Sequence, residues 1–373
     1  MTSELSSLCS YAKGKVSVDT LSKRNYVSTE NMMPNKGGIV DAGALPSAQY
    51  TQQYIKDDIL VSNIRPYFKK IWMADDDGGC SNDVLVFRAD RGCDSTFLYY
   101  ILANDAFFNY ASATSKGTKM PRGDKTAIMQ YKVPCFNYET QLRIGKLLRS
   151  IDDRIAVNKK INDNLQQQAS ALFLSFYDWS NTEVRYTDLI QILGGGTPKT
   201  GENTYWNGNI AFFTPKDVGT PYTLITEKTI TEEGLSHCNS RLYPVNTVFV
   251  TARGTVGKVG MSGVPMAMNQ SCYALVGKET HQLLVYFYTL KAVDRLKHKA
   301  SGAVFDAITT RDFESEQIMK LSDDDAKAFL CIAEPMFQKV LNNCIENLRL
   351  STLRDSLLPK LMSGEVDVSA VKH

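Results

Sequence analysis

The sequence predicts an α+β protein in which two globular α/β domains are each followed by a long helix. Three observations predict this fold: two long heptad patterns, an internal repeat in which equivalent residue numbers differ by 185, and β-branched or aromatic runs ahead of each heptad pattern. A chain of 373 residues also exceeds what one hydrophobic core normally serves. We expect a first domain, a central helix, a second domain, a C-terminal helix and a tail at residues 1–137, 138–178, 179–321, 322–364 and 365–373.

The heptad pattern of the central helix consists of apolar or seam-type residues in four-three alternation, which is typical of a coiled-coil seam. Its positions are Ile144, Leu148, Ile151, Ile155, Asn158, Asn162, Leu165, Ala169, Leu172 and Phe176. Adding 185 to each of these position numbers gives a second seam, in which the charged residue Arg354 is the one that does not suit a seam position. Asn137 and Ser322 are the expected N-caps of the two helices, and Gly364 is the expected stop of the second.

Helices with matching seams are expected to pack on each other as an antiparallel coiled coil with pseudo-twofold symmetry. Paired residue numbers then add up to 505, so Asn158 meets Asn347 and Asn162 meets Asn343. A polar seam residue lowers stability but fixes register, which is the interpretation we favour. The alternative is that these asparagines face solvent on a less regular bundle.

The segments ahead of the helices mix strand-like runs with helical stretches near residues 96–112 and 281–299. They correspond to each other more loosely than the seams do. In the first match, Ile59–Ser62 followed by Arg65 corresponds to Val248–Thr251 followed by Arg253. In the second, Lys116–Thr118 corresponds to Ser301–Ala303.

Several classes of function lack their signatures in this sequence. The sequence contains no phosphate loop, HExxH, GxSxG, Pro-Pro dipeptide or clustered Cys/His set, so we expect no catalytic or metal site. Isolated carboxylates at Asp152, Asp153, Glu314 and Glu316 are expected to face solvent. No apolar run approaches the ~18 residues of a membrane span, and the first residues do not resemble a secretory signal. We therefore expect a cytoplasmic protein without membrane contact.

The charge balance is nearly even, so any nucleic-acid site must depend on local clusters. Residues 1–137 carry 16 basic and 14 acidic groups, and residues 179–321 carry 14 and 13. Two basic clusters occur in the first domain, at Arg65–Lys70 and Lys116–Lys125. Their cations can contact phosphates or guanine edges, although a solvated loop has the same composition.

With these features, the chain closely resembles the specificity (S) subunit of Type I restriction-modification enzymes over essentially its whole length. The resemblance rests on a set of motifs in order: Gly195–Pro198, Tyr205–Trp206, Thr214–Val218, Arg253–Gly257, Asn269–Gln270, Ile151–Ile155, Asn158–Asn162 and Leu353–Glu365. The first domain departs from the family, because it lacks the GGTP and tryptophan marks and has Ser22–Ser28 instead.

The resemblance implies that each globular part is a target recognition domain that reads one half of a bipartite sequence in double-stranded DNA. The helices would act as a spacer and as the docking site for two methyltransferase (M) subunits. These partners would carry S-adenosylmethionine and methylate adenine at N6, while two restriction (R) subunits would use ATP and Mg to translocate and cut. The chain itself would be non-catalytic and bind no cofactor.

Side chains able to contact phosphates or base edges are the candidate DNA-binding residues. They are Lys23, Arg24, Asn63, Arg65, Lys69, Lys70, Lys116, Lys119, Arg122, Thr197, Lys199, Lys216, Arg253, Lys258, Asn269 and Gln270. The candidate residues for coiled-coil register are Asn158, Asn162, Asn343 and Asn347.

Other interpretations stay open at this level. The chain could serve a related system that methylates without restriction, or act as a coiled-coil scaffold without DNA specificity. A hidden nuclease or methyltransferase site would instead give the purified chain its own activity.

Overall fold

The chain forms two compact units, each of which is described by itself. The structure, a computed structural model, describes residues 2–178, 180–219, 221–299 and 307–368, so the predicted match at Ser301–Ala303 lies outside the described residues. The first unit comprises Met1–Ile155 with Arg349–His373, and the second comprises Ala156–Leu348. Each long helix therefore contributes to both units.

The strands of the first unit are short and almost entirely antiparallel. Their bounds are β1 Thr2–Glu4, β2 Cys9–Tyr11, β3 Lys15–Ser17, β4 Tyr26–Val27, β5 Tyr50–Tyr54, β6 Ile59–Ser62, β7 Ile71–Met73, β8 Gly78–Cys80, β9 Val84–Ala89 and β10 Lys132–Pro134. They form sheets in the orders β2-β9-β6-β7, β3-β5-β8-β4 and β1-β10. Strands β4 and β8 are parallel, and the other neighbours are antiparallel.

The helices of the first unit cover one face of the β2-β9-β6-β7 sheet. They are α1 Ser95–Ala103, α2 Asp105–Ala113, α3 Lys125–Met129 and the start of α4 Tyr138–Phe176. Asp94 caps α1 by accepting from the Phe97 N–H at 2.8 Å. Asn104 separates α1 from α2, because its backbone is extended and its side chain caps α2. Phe97 and Phe107 then pack with Phe87 of β9 in a fully buried core.

The second unit is built around a larger sheet. Its strands are β11 Thr182–Arg185, β12 Ile190–Gly194, β13 Trp206–Phe213, β14 Tyr222–Thr223, β15 Lys228–Ile230, β16 Val248–Thr251, β17 Val259–Ser262, β18 Met266–Met268, β19 Cys272–Gly277 and β20 Gln317–Lys320. The sheet orders are β12-β19-β16-β17-β14, β15-β13-β18 and β11-β20. Strand β16 lies at the centre of the larger sheet, and all four of its residues are buried.

The helices of the second unit pack their apolar residues against this sheet and against each other. They are α5 Tyr186–Leu189, α6 Glu232–Ser236, α7 Gln282–Lys299, α8 Thr310–Glu314 and α9 Asp323–Ser363. Short 3-10 turns occur in the two units at Leu5–Ser7, Val18–Thr20, Pro66–Phe68 and Asn203–Tyr205. Phe287 of α7 contacts Phe173 of α4 at 5.0 Å and Phe337 of α9 at 5.6 Å between ring centroids.

The internal repeat predicted from the seams extends to the sheet topology. The strand order β2-β9-β6-β7 of the first unit recurs as β12-β19-β16-β17 in the second, and the β1-β10 pair recurs as β11-β20. Helices α3 and α8 also begin at equivalent positions of the repeat, Lys125 and Thr310. The predicted α+β class with two long, packed helices is thus confirmed.

The helix pair of the second unit contains both asparagine contacts that the repeat predicts. The Asn158 Nδ2 donates to Asn347 Oδ1 at 2.9 Å, and the Asn343 Nδ2 donates to Asn162 Oδ1 at 2.8 Å. Since the partner number falls as the first number rises, α4 and α9 are antiparallel here. The asparagines are therefore directed into the seam and not toward solvent.

The charged seam residue Arg354 is paired with a carboxylate of the first unit. Its Nη1 donates to Asp152 Oδ1 at 2.6 Å, and the Tyr100 hydroxyl donates to Asp152 Oδ2 at 2.6 Å. Burial lowers the pKa of Arg354, but Asp152 and Asp355 outweigh it and raise the pKa overall. The expectation that Asp152 faces solvent was wrong, because the seam brings it against this guanidinium.

Glu316 is a second carboxylate whose expected exposure was wrong. Its side chain is fully buried beside β20, where its Oε1 is bonded to the Lys299 ammonium. Its backbone carbonyl accepts from the Tyr186 N–H at 2.9 Å. The residue therefore joins α5 and α7 to the strand that follows it.

The ends of the long helices follow the predicted signals. Asn137 accepts from the Thr140 N–H at 2.9 Å, and Ser322 accepts from the Asp325 N–H at 3.1 Å. Helix α9 stops at Ser363, and Gly364 follows with a φ of +76°. Within the part of the chain that the structure describes, none of the helices has the length and apolar character needed to cross a bilayer.

Candidate nucleic-acid interface

In the first unit, the two predicted basic segments are joined by their backbones. The Arg65 N–H donates to the Pro121 carbonyl at 2.8 Å, and Lys116 and Arg122 exchange backbone hydrogen bonds of 2.8 and 2.9 Å. We call residues 63–70 and 116–124 the first loop cluster. It brings six of the candidate cations onto one connected pair of loops: Arg65, Lys69, Lys70, Lys116, Lys119 and Arg122.

Acidic neighbours hold several of these cations in place. The Lys69 ammonium lies 2.9 Å from Asp105, which also contacts Lys36 at 2.9 Å. The hydrogen bond from Lys69, and then those from Lys36, hold the pKa of Asp105 below its usual range. Lys116 lies 2.5 Å from Asp124 and is the main cause of the lowered pKa of that carboxyl. Each of these pairs has at least one partner that is more than half exposed, so the pairs contribute little to stability.

The loop that follows β6 has an unusual backbone. Arg65 and Lys69 both adopt a φ of +51°, the left-handed region that non-glycine residues rarely occupy. They flank the 3-10 turn Pro66–Phe68. The Lys70 ammonium donates to the Thr29 carbonyl at 2.6 Å, which ties the end of the loop to the neighbouring segment. Such strain persists only where the surroundings hold it, so this loop is preorganised.

The remaining candidates of the first unit are not cations at the surface of this cluster. Asn63 belongs to the first loop cluster but is only 8% exposed; its N–H donates to the Asp83 carbonyl at 2.8 Å and its own carbonyl accepts from the Gly123 N–H at 3.1 Å. The geometry gives Asn63 a supporting position and not a surface one. Lys23 and Arg24 are exposed on another loop, in which the Lys23 carbonyl accepts from the Ala42 N–H at 2.8 Å.

In the second unit, the motifs that are far apart in sequence come together as loops. The Thr197 hydroxyl donates to Gln270 Oε1, and the Ser271 carbonyl accepts from the Arg253 N–H at 3.2 Å. The Thr255 hydroxyl donates to the Pro215 carbonyl at 3.2 Å. We call residues 194–199, 214–217, 252–258 and 268–271 the second loop cluster. It contains the candidates Thr197, Lys199, Lys216, Arg253, Lys258, Asn269 and Gln270.

Glycines make this convergence possible. A Cβ on Gly195 would lie 2.3 Å from the Asn269 carbonyl oxygen, and a Cβ on Gly196 would lie 2.6 Å from the Asn239 nitrogen. Side chains at these positions would push the loops apart. The GGTP motif is thus explained by close packing of backbones.

Lys199 and Lys216 lie toward the rim of the second loop cluster. The Lys199 carbonyl accepts from the Trp206 indole N–H at 3.2 Å, and the Lys228 ammonium lies 5.4 Å from the Trp206 ring centroid. Lys216 lies 3.6 Å from Glu227 in an exposed ion pair. Trp206 therefore organises the rim, while both lysine ammonium groups stay at the surface.

The two loop clusters occupy equivalent places in the repeat. The loop after β6 bridges to the second basic segment through Ile64 and Arg122, and the loop after β16 bridges through Arg253 and Ala307. Ala307 is the equivalent of Arg122 in the numbering of the repeat. The same junction of backbones thus supports both clusters.

Sequence reasoning missed Lys36, which belongs to the first loop cluster by contact. Its N–H donates to the Lys69 carbonyl at 2.8 Å, and its ammonium shares Asp105 with Lys69. Lys36 is an isolated cation in the sequence, so no local cluster marked it. The Asn35-Lys36-Gly37 turn was the available signal, because turns of this composition are often functional loops.

Two equivalent, polar and cation-bearing loop clusters on a duplicated α+β scaffold define a class of protein with paired recognition surfaces. A family model described as the Type I restriction modification DNA specificity domain matches residues 1–167 and 178–320. The chain belongs to this family, and its role is therefore DNA recognition in a Type I restriction-modification system.

Individual relatives agree with this assignment. The Type I restriction enzyme HindI specificity subunit of Haemophilus influenzae is 24% identical over an alignment of 434 residues, which covers 91% of this chain and 94% of that protein. The EcoR124I/EcoR124II specificity subunit of Escherichia coli is 30% identical over 169 residues, 42% of either protein. The crystal structure of a Type I restriction-modification S subunit from M. genitalium has the same fold, with a TM-score of 0.62, 17% identity and coverage of 97% and 96%.

Proposed function

We propose that each loop cluster reads one half of a bipartite, asymmetric sequence in double-stranded DNA. The observation that carries this proposal is the equivalent placement of the two clusters, each beside an inner strand of its sheet and each joined by the same backbone bridge. The side chains in the two clusters differ, so the two half-sites would differ in sequence.

The chemistry of the clusters supports a division between positioning and reading. Exposed cations such as Lys119 and Lys258 would contact phosphates, which sets orientation without sequence information. Arginines and the exposed amide of Gln270 are able to make bidentate contacts with base edges in the major groove. Because the units carry little net charge, such base contacts would supply a large share of the specific affinity.

We propose residues 1–137 and 179–321 as the target recognition domains, with residues 365–373 as a tail. Residues 138–178 and 322–364 would form the helical spacer to which two methyltransferase subunits bind. The asparagine contacts would fix the register of this spacer, because a one-residue slip separates both pairs.

Other subunits would carry out the catalytic reactions. The M subunits would bring S-adenosylmethionine and methylate adenine at N6, and two R subunits would bring ATP and Mg in a complex that also cleaves. The present chain would bind no cofactor and would direct these activities to one DNA sequence in the cytoplasm.

Long-read methylome mapping tests this proposal. The native host is compared with a strain that lacks this chain and with a deletion strain complemented by it. Loss of one bipartite N6-methyladenine motif on deletion, and its return on complementation, is the expected result. An unchanged methylome while the M subunit is expressed would contradict the proposal and favour a scaffold without DNA specificity.

A further inference from the structure

Exposed apolar side chains lie among the cations of the first loop cluster. Tyr67 is 52% exposed, Phe68 is 39% exposed and Met120 is 50% exposed. Arg65 and Lys69 flank the aromatic pair in sequence, and Met120 precedes Pro121, whose carbonyl accepts from the Arg65 N–H. A surface that only attracts phosphates has no need of apolar side chains among its cations.

The turn that carries Tyr67 is held from both sides. The Phe68 carbonyl accepts from the Asn35 N–H at 2.8 Å, and the Phe68 N–H donates to the Arg65 carbonyl at 3.0 Å. The Lys70 ammonium lies 5.9 Å from the centroid of the Phe68 ring, which in turn lies 4.8 Å from the Tyr67 ring. Together with the left-handed conformations of Arg65 and Lys69, these contacts present a rigid aromatic ring at the surface.

Rigidity and position separate Tyr67 from its neighbours. Phe68 lies beneath a cation, whereas Tyr67 is the most exposed of the three apolar side chains. A preorganised ring loses little entropy on binding. In a duplex, an aromatic ring can pack against an apolar base edge such as the thymine methyl group, but it gains nothing from a phosphate. Flanking cations on phosphates would orient this ring toward the base pairs between them.

We propose that Tyr67 is a specificity-determining residue whose ring packs against a base in the half-site read by the first unit. This inference rests on the proposed function, since it requires that the first loop cluster meets DNA. The contact is apolar, so the ring and not the hydroxyl group carries it.

The test uses the full-length chain assembled with the M subunits of its host. Selection from duplexes with a randomised half-site gives base preferences, and fluorescence anisotropy at several salt concentrations gives affinities. The variants are Tyr67→Ala and Tyr67→Phe, with Tyr50→Ala as matched control because Tyr50 is 54% exposed on β5 of the same unit.

Tyr67→Ala is expected to erase the preference at one or two adjacent positions of one half-site and to weaken specific binding about ten-fold. Its non-specific affinity and the salt dependence of binding should not change, because no phosphate contact is lost. Tyr67→Phe and Tyr50→Ala should match the wild type.

An unaltered preference in Tyr67→Ala would overturn the inference, as would an equal loss of specific and non-specific binding. A loss in Tyr67→Phe as large as in Tyr67→Ala would overturn the apolar contact. A wild-type complex without any base preference would instead overturn the proposed function, so the two failures are distinguishable.

Discussion

Alanine substitutions of Asn162 and Asn343, which are hydrogen-bonded to each other in the helix seam, should lower stability by unequal amounts. Asn343 is fully buried, donates to Asn162 Oδ1 at 2.8 Å, and has an Oδ1 without a hydrogen-bond partner among the described residues. Asn162→Ala therefore leaves the Asn343 Nδ2 unpaired, beside an Oδ1 that already lacks a partner. Asn343→Ala strands only the oxygen of Asn162 and also removes an oxygen that is already unsatisfied.

The magnitudes follow from the cost of buried, unpaired polar groups. Each newly unpaired group costs about 1–3 kcal/mol, so we expect about 1–3 kcal/mol for Asn162→Ala. Asn343→Ala should cost less, because removal of the already unpaired Asn343 Oδ1 offsets part of the cost of the stranded Asn162 oxygen. The double variant strands neither side chain and should be no less stable than Asn162→Ala.

Hydrogen exchange of the amides in residues 158–166 and 339–347 measures this locally, since about 1.4 kcal/mol corresponds to a ten-fold faster exchange. Asn164→Ala serves as control, because Asn164 is exposed on the same helix and should change stability by less than about 0.5 kcal/mol. Equal costs for the two single variants, or additive costs in the double variant, would refute the reasoning.

Further predictions concern the other contacts. Arg253→Ala should cost about 1–3 kcal/mol of discrimination at one base pair if it reads a guanine, measured by competition binding with single-base variants of the half-site; unchanged affinity and specificity would remove it from the interface. Lys119→Ala should lower the slope of log affinity against log salt concentration by about 0.9 while base preferences stay the same, and a changed preference would count against a phosphate contact. Asp152→Ala should destabilise the first unit by about 1.5–3 kcal/mol in thermal melts, because the Tyr100 hydroxyl loses its acceptor and Arg354 loses one of the two carboxylates that it contacts. Asp153→Ala, at the exposed neighbouring position, should have almost no effect, and equal effects would contradict this account.

The helix pair was predictable because a seam is a local, periodic signal. The constant offset between the repeats placed Asn158 against Asn347 without any structural information, since antiparallel pairing of two repeats leaves one register that aligns the polar layers. The chemistry of Arg354 was not predictable in this way. A heptad pattern identifies which positions face the seam but not that Asp152 and Tyr100 meet there.

The candidate interface was predictable only in part. Motifs identified the segments, but the contact between Thr197 and Gln270 joins residues far apart in sequence. No local sequence pattern indicates such a contact. The burial of Asn63 could not be predicted either. Asn63 directly follows a strand, where an exposed loop residue is expected, but a segment much later in the chain covers it. In the sequence Tyr67 lies within a charged cluster, and only its exposure and the left-handed conformations of Arg65 and Lys69 in the folded chain set it apart.

The ion pair between Asp152 and Arg354 has a consequence for how copies of this chain associate. In a homodimer of two N-terminal halves, the position of Arg354 would be taken by its equivalent in the first repeat, which is Ala169. The asparagine layers would survive this exchange, because each asparagine is replaced by another. Asp152 and Tyr100 would then face a methyl group, and the half-buried carboxylate would lose the counter-charge of Arg354. The ion pair thus favours the pairing of the two unlike halves over the pairing of two N-terminal halves.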